Sequence, residues 1–169
     1  MAATGAGERR SGGHPGAGPS PEEAVRLYET MLLIRHTEER PRDDAAVGNL
    51  PGAVHLYLGE EAVADGVCAH LTDRDYATST HRGHGHFLAK GGDVKTMMAE
   101  IWAKREGICR GMGGSMHVAD VSKGILGANG IVGVGLSIAT GAAFGAKLDG
   151  DGKVSACPGC GLDVLDTVV

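Results

Sequence analysis

Residues 107–135 read GICRGMGGSMHVADVSKGILGANGIVGVG, and nine of them are glycine. Glycine in the interior of a helix or strand carries an entropic cost, but it also lets the backbone turn left-handed and approach other groups closely. A run this dense therefore limits what the chain can build there. The spacing has no collagen period, and Met112, Met116, His117, Ile125, Leu126, Asn129 and Ile131 interrupt it. Two readings follow. One is backbone folded against an anionic ligand, with peptide N–H groups as donors. The other is a long surface loop.

The rest of the chain has the makings of a core. Of its 169 residues, 42% are hydrophobic and 22% charged, which fits one domain or part of a larger one. The net charge of −5 gives no electrostatic case for nucleic acid or for an anionic membrane. No stretch is apolar for long enough to span a bilayer; 131–146 comes nearest, with four glycines, Ser137 and Thr140 within it. Cys68, Cys109, Cys157 and Cys160 have no secretory context, so the expected compartment is reducing and cytoplasmic.

Residues 1–20 are Gly, Ala, Pro and Ser with few apolar side chains, and are expected to be a disordered tail. Ser20-Pro21-Glu22-Glu23 predicts a helix start with a capping box, and Pro41 predicts its end. The charge-dense segment 35–42 reads as a solvated face. A helix is expected over 60–71, a strand over 76–80, a helix capped by Asp93 with a Val94, Met97, Met98, Ile101, Trp102 stripe, a small-residue helix over 131–148, and a strand from Lys153 to Ala156. Gly150-Asp151-Gly152 lies before that last strand. Ligands in open α/β sheets bind at the carboxyl ends of strands, so this GDG is read as a turn.

The residues with chemistry to offer cluster in His81-Arg82-Gly83-His84-Gly85-His86, placed on a loop after a strand. A guanidinium can fork onto phosphate oxygens, and imidazole can donate or shuttle protons. A zinc site built from His81, His84 and His86 is the competing reading, and a structural loop the third. His55 and His117 are single histidines, for which a structural hydrogen-bonding role is the simpler reading. Cys157-Pro158-Gly159-Cys160 has the spacing of a redox pair or half a zinc site, with no second pair to complete it.

Taken in order, several stretches resemble one family. They are LYETMLLIR at 27–35, HLYLGEEA at 55–62, TSTHRGHGH at 78–86, GGSMH at 113–117 and GANGIVG at 127–133. They are similar to the alpha subunit of the thiamine-diphosphate-dependent dehydrogenase component of 2-oxo acid (pyruvate-type) and acetoin dehydrogenase complexes. The resemblance runs from about residue 24 to 156. It implies an α/β thiamine-diphosphate-binding fold, with a mostly parallel sheet flanked by helices and only its N-terminal part present. It implies oxidative cleavage or decarboxylation of a small 2-oxo acid or acetoin, with acyl transfer to a lipoyl carrier. The partners it implies are a beta subunit, in an α2β2 assembly, and a lipoyl-bearing acyltransferase. His81 and Arg82 match positions that contact the diphosphate, and Gly130 and Val132 match positions that contact the cofactor by backbone. His55 and His84 match histidines of the substrate site and are the catalytic candidates.

The pattern breaks after residue 156. Where the family continues with Gly-Asp-Gly-Ala, whose Asp helps to hold Mg2+, this chain has Cys157-Pro158-Gly159-Cys160-Gly161. No metal ligand is assigned. The expectation is a family domain over 21–156, a divergent stub over 157–169, and an inactive, truncated chain. The alternative is a non-catalytic protein that docks on an alpha or beta partner subunit.

Overall fold

The computed structural model of the chain describes residues 18–158. Three parallel strands carry it. Strand β1 (Tyr76–Thr80) is central, with β2 (Ile125–Asn129) on one side and β3 (Ser155–Ala156) on the other. Helices α1 (Pro21–Ala46), α2 (Glu61–Cys68), α3 (His84–Ala89), α4 (Val94–Ile101) and α5 (Val134–Asp149) pack around them. The chain leaves β1 to build β2 on one flank, then returns across to build β3 on the other. In an open parallel sheet that change of direction opens a crevice at the carboxyl ends of the strands, where ligands bind. The α/β fold with a parallel sheet is thus the one the sequence led us to expect.

Helix α1 starts as its sequence dictates. Ser20 Oγ accepts the Glu23 N–H, and the Glu23 carboxylate accepts the Ser20 N–H. Its end does not follow the sequence reading, because the helix runs through Pro41 to Ala46. Proline removes one helical hydrogen bond and crowds the preceding turn, at a cost of about 3 kcal/mol. Here burial offsets that cost. Ile34, Thr37, Glu38, Pro41 and Asp44 form a buried stripe at helical spacing. The same stripe corrects the reading of 35–42 as a solvated face: Glu38 is completely buried.

Strand β2 was hidden among the glycines. It pairs with β1 in the register Ala77↔Ile125, Thr78↔Gly127 and Thr80↔Asn129, with a bulge at Leu126. Gly127 makes the bulge at φ +129°, a conformation L side chains rarely adopt. On its outer side, β2 is covered by an antiparallel bridge between Asp120 and Ile125 and by the Ala128 N–H donating to the Val118 carbonyl at 3.0 Å. Helix α5 begins at Val134, leaving Ile131 and Val132 as an exposed turn, and buries Ala139 and Ala146 of its small-residue face. Helix α4 is capped by Asp93 as expected and sends Met97 and Ile101 into a core with Ile34, Tyr57, Phe87, Val118 and Ile125. Gly150 ends α5, and Asp151 pairs with Lys153 ahead of β3.

Two buried groups give the fold a pH dependence. His86, on α3, lies between Ser79 Oγ (2.8 Å from Nδ1) and the Tyr57 hydroxyl (3.2 Å from Nε2). Burial pushes its imidazole down to about 4. The unfolded chain therefore binds a proton near pH 6.5 that the folded chain refuses. Stability is expected to fall as pH drops from about 6.5 toward 4, by up to about 1.4 kcal/mol per pH unit. Glu61 adds a second limb. The hydrogen bond from Arg35 (2.6 Å), opposed by burial and helped by the Gly59 N–H, lowers its carboxyl to about 2. Its contribution is lost as pH falls from about 4.5 toward 2. Urea melts from pH 8 to 3 check this. A His86→Asn variant should flatten the limb above pH 4 and leave the lower one.

Candidate functional site

The carboxyl ends of β1 and β2 lie side by side, and each opens into one of the loops singled out in the sequence. Thr80 pairs with Asn129 in the last rung of the ladder. His81 and Arg82 follow the first, and Gly130, Ile131 and Val132 follow the second. The two loops touch. Gly83 packs so closely on Ala128 that a Cβ there would overlap the Ala128 side chain. His81 and Arg82 are half-buried, while Gly130 and Val132 are exposed. Helix α5 starts just beyond, with Gly133 as its N-cap. Its N-terminal dipole therefore adds positive potential at the same end of the sheet.

A third segment, 55–57, closes the cluster. The His55 and His81 rings meet edge to face with centroids 4.9 Å apart. Burial, reinforced by the charges of His81, Arg82 and His84, holds the His55 imidazole below its usual range. Arg82 Nη1 donates to the Leu56 carbonyl at 2.6 Å, and its backbone N–H donates to Thr80 Oγ1 at 3.3 Å. Four more guanidinium N–H donors remain on Arg82 for other acceptors. His117 hydrogen-bonds the Ala128 carbonyl through Nδ1 (3.3 Å), and its ring lies against Gly130.

His84 and His86 belong to α3, not to a loop, and both are buried. Gly83 caps that helix, its carbonyl accepting the Phe87 N–H at 3.0 Å. His84 Nδ1 is 2.7 Å from Glu38 Oε1, and its Nε2 faces the Ser115 carbonyl at 3.0 Å. The His81, His84 and His86 side chains therefore separate into different surroundings. Among the described residues, no three His, Cys, Asp or Glu side chains come together to hold a metal ion.

The glycine-rich stretch does cradle an anion, but in its first half the anion is the protein's own. The Glu100 carboxylate, fully buried at the end of α4, accepts N–H groups from Cys109 (2.8 Å), Gly111 (2.8 Å), Gly113 (2.6 Å) and Gly114 (3.0 Å). Burial works against its charge. The four peptide donors outweigh burial, so its pKa lies below the usual carboxylate range. A Cβ at Gly107 would stand 2.6 Å from the Glu100 Cα. The part of the stretch beyond residue 127 follows β2 to its carboxyl end, where His117 reaches it from the first half.

The comparisons with known proteins bear directly on this geometry. The profile of the family described as "Dehydrogenase E1 component" matches residues 28–159. The chain belongs to that family. It is 58% identical over 136 residues to the alpha subunit of acetoin:2,6-dichlorophenolindophenol oxidoreductase of Bacillus subtilis, covering 80% of this chain and 41% of the relative. The subunit of that name from Cupriavidus necator is 53% identical over 133 residues, covering 79% and 40%. The chloroplastic pyruvate dehydrogenase E1 component subunit alpha-3 of Oryza sativa is 43% identical over 143 residues, covering 85% and 33%. The E1 chain thus spans between a third and about two-fifths of the length of these relatives.

Thiamine diphosphate is the cofactor this E1 family implies, and the donor set at the strand ends fits its anionic tail. Arg82, His81 and exposed glycine-flanked backbone stand on two adjoining strand-end loops, beside a helix N-terminus. The described residues after β3 are Cys157 and Pro158, neither of which supplies a hard oxygen side chain. Cys160, the remainder of the 157–169 stub and residues 1–17 lie outside the described residues. No described helix is long and apolar enough to cross a membrane.

Sequence reasoning missed Glu38, Ser115 and Glu100. Glu38 could have been found by testing 34–44 for helical periodicity instead of counting its charges. Glu100 is one buried carboxylate within an apolar helix stripe, set seven residues before a glycine run. Ser115 was marked only as a member of the GGSMH stretch, with no role attached to it.

Proposed function

We propose that this chain contributes the diphosphate-holding part of the active site of a thiamine-diphosphate-dependent E1 alpha subunit. The single observation that carries the reading is the contact between the β1 and β2 strand-end loops, sealed by Gly83 against Ala128. Arg82 and His81 bind phosphate oxygens. The backbone of Gly130 and Val132 lies along the cofactor. His55, kept neutral, lines the substrate side next to His81, and His84 supports it from the interior. When bound, the cofactor supplies the carbanion chemistry that cleaves the bond beside an oxo carbon. The names of the two most similar relatives quoted above favour acetoin as substrate, with pyruvate or another small 2-oxo acid next. The partners are a beta subunit and a lipoyl-bearing acyltransferase, in a reducing, cytoplasmic compartment. Residues 21–156 form the contributing unit.

Calorimetric titration of the 169-residue chain tests this. Thiamine diphosphate should bind at least about tenfold more tightly than thiamine, and Arg82→Met should remove about 1.5–3 kcal/mol of that binding, the range for a hydrogen bond to a charged group. Equal binding of thiamine, or an Arg82→Met variant that binds as the parent does, overturns the reading. A docking role is the second reading, favoured by the exposed Phe144 and Leu148 on α5 beside the open Gly141 and Gly145. Co-purification with a beta subunit and no affinity for thiamine diphosphate would select it.

A further inference from the structure

Glu38 has no contact with solvent and stands on α1, behind the strand-end loops. Its Oε2 accepts the Tyr57 N–H at 2.7 Å, and its Oε1 lies 2.7 Å from His84 Nδ1. On the other side of the ring, His84 Nε2 lies 3.0 Å from the Ser115 carbonyl oxygen and 3.1 Å from Ser115 Oγ. That Oγ accepts the His55 N–H at 2.9 Å. Between these two ties, the Leu56 carbonyl accepts Arg82 Nη1. The residues 55, 56 and 57 are therefore each anchored through the backbone. Two of the anchors meet at one buried imidazole, and the third is the guanidinium of the anion site.

An apolar side chain of the same size would fill this volume without the desolvation penalty of a carboxylate. What it could not do is serve two polar partners on different elements at once. We propose that Glu38 is a positioning residue for the anion site: through Tyr57, and through His84 and Ser115, it fixes the 55–57 segment, and that segment fixes where Arg82 and His55 point. The inference deepens the functional reading above and rests on it. His84 acts within the frame, as the bridge between Glu38 and Ser115, and does not touch ligand.

Variants separate positioning from mere structure. Glu38→Gln keeps the shape. Its amide oxygen can accept the Tyr57 N–H while its NH2 donates to a neutral His84 Nδ1, the other ring nitrogen donating to the Ser115 carbonyl. Glu38→Met also keeps the shape but offers neither contact. Inorganic pyrophosphate, titrated calorimetrically into the full chain, is the probe. Glu38→Met is expected to bind about tenfold more weakly, the size of effect from misdirecting one hydrogen bond to a charged group. Glu38→Gln should stay within about threefold of the parent, its hydrogen bonds being remade. Should Glu38→Met fail to fold, Ser115→Ala, which removes the acceptor of the His55 N–H and the hydroxyl contact with His84 Nε2, is expected to weaken binding several-fold. Asp93→Ala, which loses the α4 cap but none of the hydrogen bonds of the frame, should lower stability and leave pyrophosphate affinity unchanged.

The ring-proton shifts of His55, read by NMR without ligand, should move in Glu38→Met and stay in place in Asp93→Ala. Parent-like pyrophosphate binding and His55 shifts in both Glu38→Met and Ser115→Ala overturn the positioning role. If Arg82→Met still loses binding in that case, the anion site stands without Glu38. If pyrophosphate fails to bind the parent chain, or binds regardless of Arg82, both proposals fall.

Discussion

Glu100→Ala is expected to remove most of the stability of this chain. The substitution deletes one buried carboxylate and strands four half-buried peptide donors, on Cys109, Gly111, Gly113 and Gly114. Each unsatisfied buried donor costs about 1–3 kcal/mol, and relaxation of the loop will recover part of the total. A net loss of about 3–5 kcal/mol is the order seen when one partner of a buried charged network is removed. Against a total of about 5–15 kcal/mol for a typical domain, that is enough to unfold a marginal one. Glu100→Gln should fall between, because its amide NH2 meets two donors where an oxygen was. The pH dependence follows from the lowered pKa of Glu100. The unfolded glutamate takes up a proton first as pH falls, so the cradle stabilises fully above about pH 4.5 and progressively less below it. Urea denaturation followed by circular dichroism measures all three. A Glu100→Ala midpoint within about 1 kcal/mol of the parent, the scale of one hydrogen bond, would mean the cradle is not what orders this loop.

Gly83→Val is expected to damage both the fold and the site. Any Cβ at this position overlaps the Ala128 side chain, so the β1 and β2 strand-end loops must part to admit it. Overpacking of this kind costs about 1–3 kcal/mol. Since the separation falls between Arg82 and Gly130, pyrophosphate affinity should drop more than about tenfold, as a misplacement of about 1 Å at a site does. Gly66→Ala is the control. It sits on α2 with nothing within 4 Å of its Cβ position, and alanine there should stabilise by about 0.5–1 kcal/mol. Denaturant midpoints and pyrophosphate titrations of the two variants, run together, decide the matter. Unchanged affinity in a folded Gly83→Val chain would show that the loops do not act jointly.

Much of the framework is legible in the sequence where local chemistry settles the structure. The Ser20 capping box, the Asp93 cap with its Met97 and Ile101 stripe, and the short β-prone run at 76–80 all stand as their residues suggest. What escaped was decided by contacts between distant segments. Pro41 should stop a helix, and does not, because the face it belongs to is buried. The strand at 125–129 has the composition of a loop and becomes a strand only because β1 and the 118–120 edge offer it hydrogen bonds on both sides. For the site, His81, Arg82 and the glycines after residue 129 were visible as chemistry. The buried supports Glu38 and Ser115 were not, since neither bears a mark until the fold brings it beside His84. The glycine run allows both a cradle for an anionic ligand and a surface loop; its first half encloses Glu100, an occupant that no spacing within the run could name.

The joint anion site formed by two adjacent strand ends can be tested by amide and side-chain NMR of the full chain as pyrophosphate is added. The account predicts saturating shifts, with a common affinity, at the Arg82 side chain, the His81 ring and the amides of Gly130, Ile131 and Val132. Shifts confined to one loop, or absent from both, would contradict it.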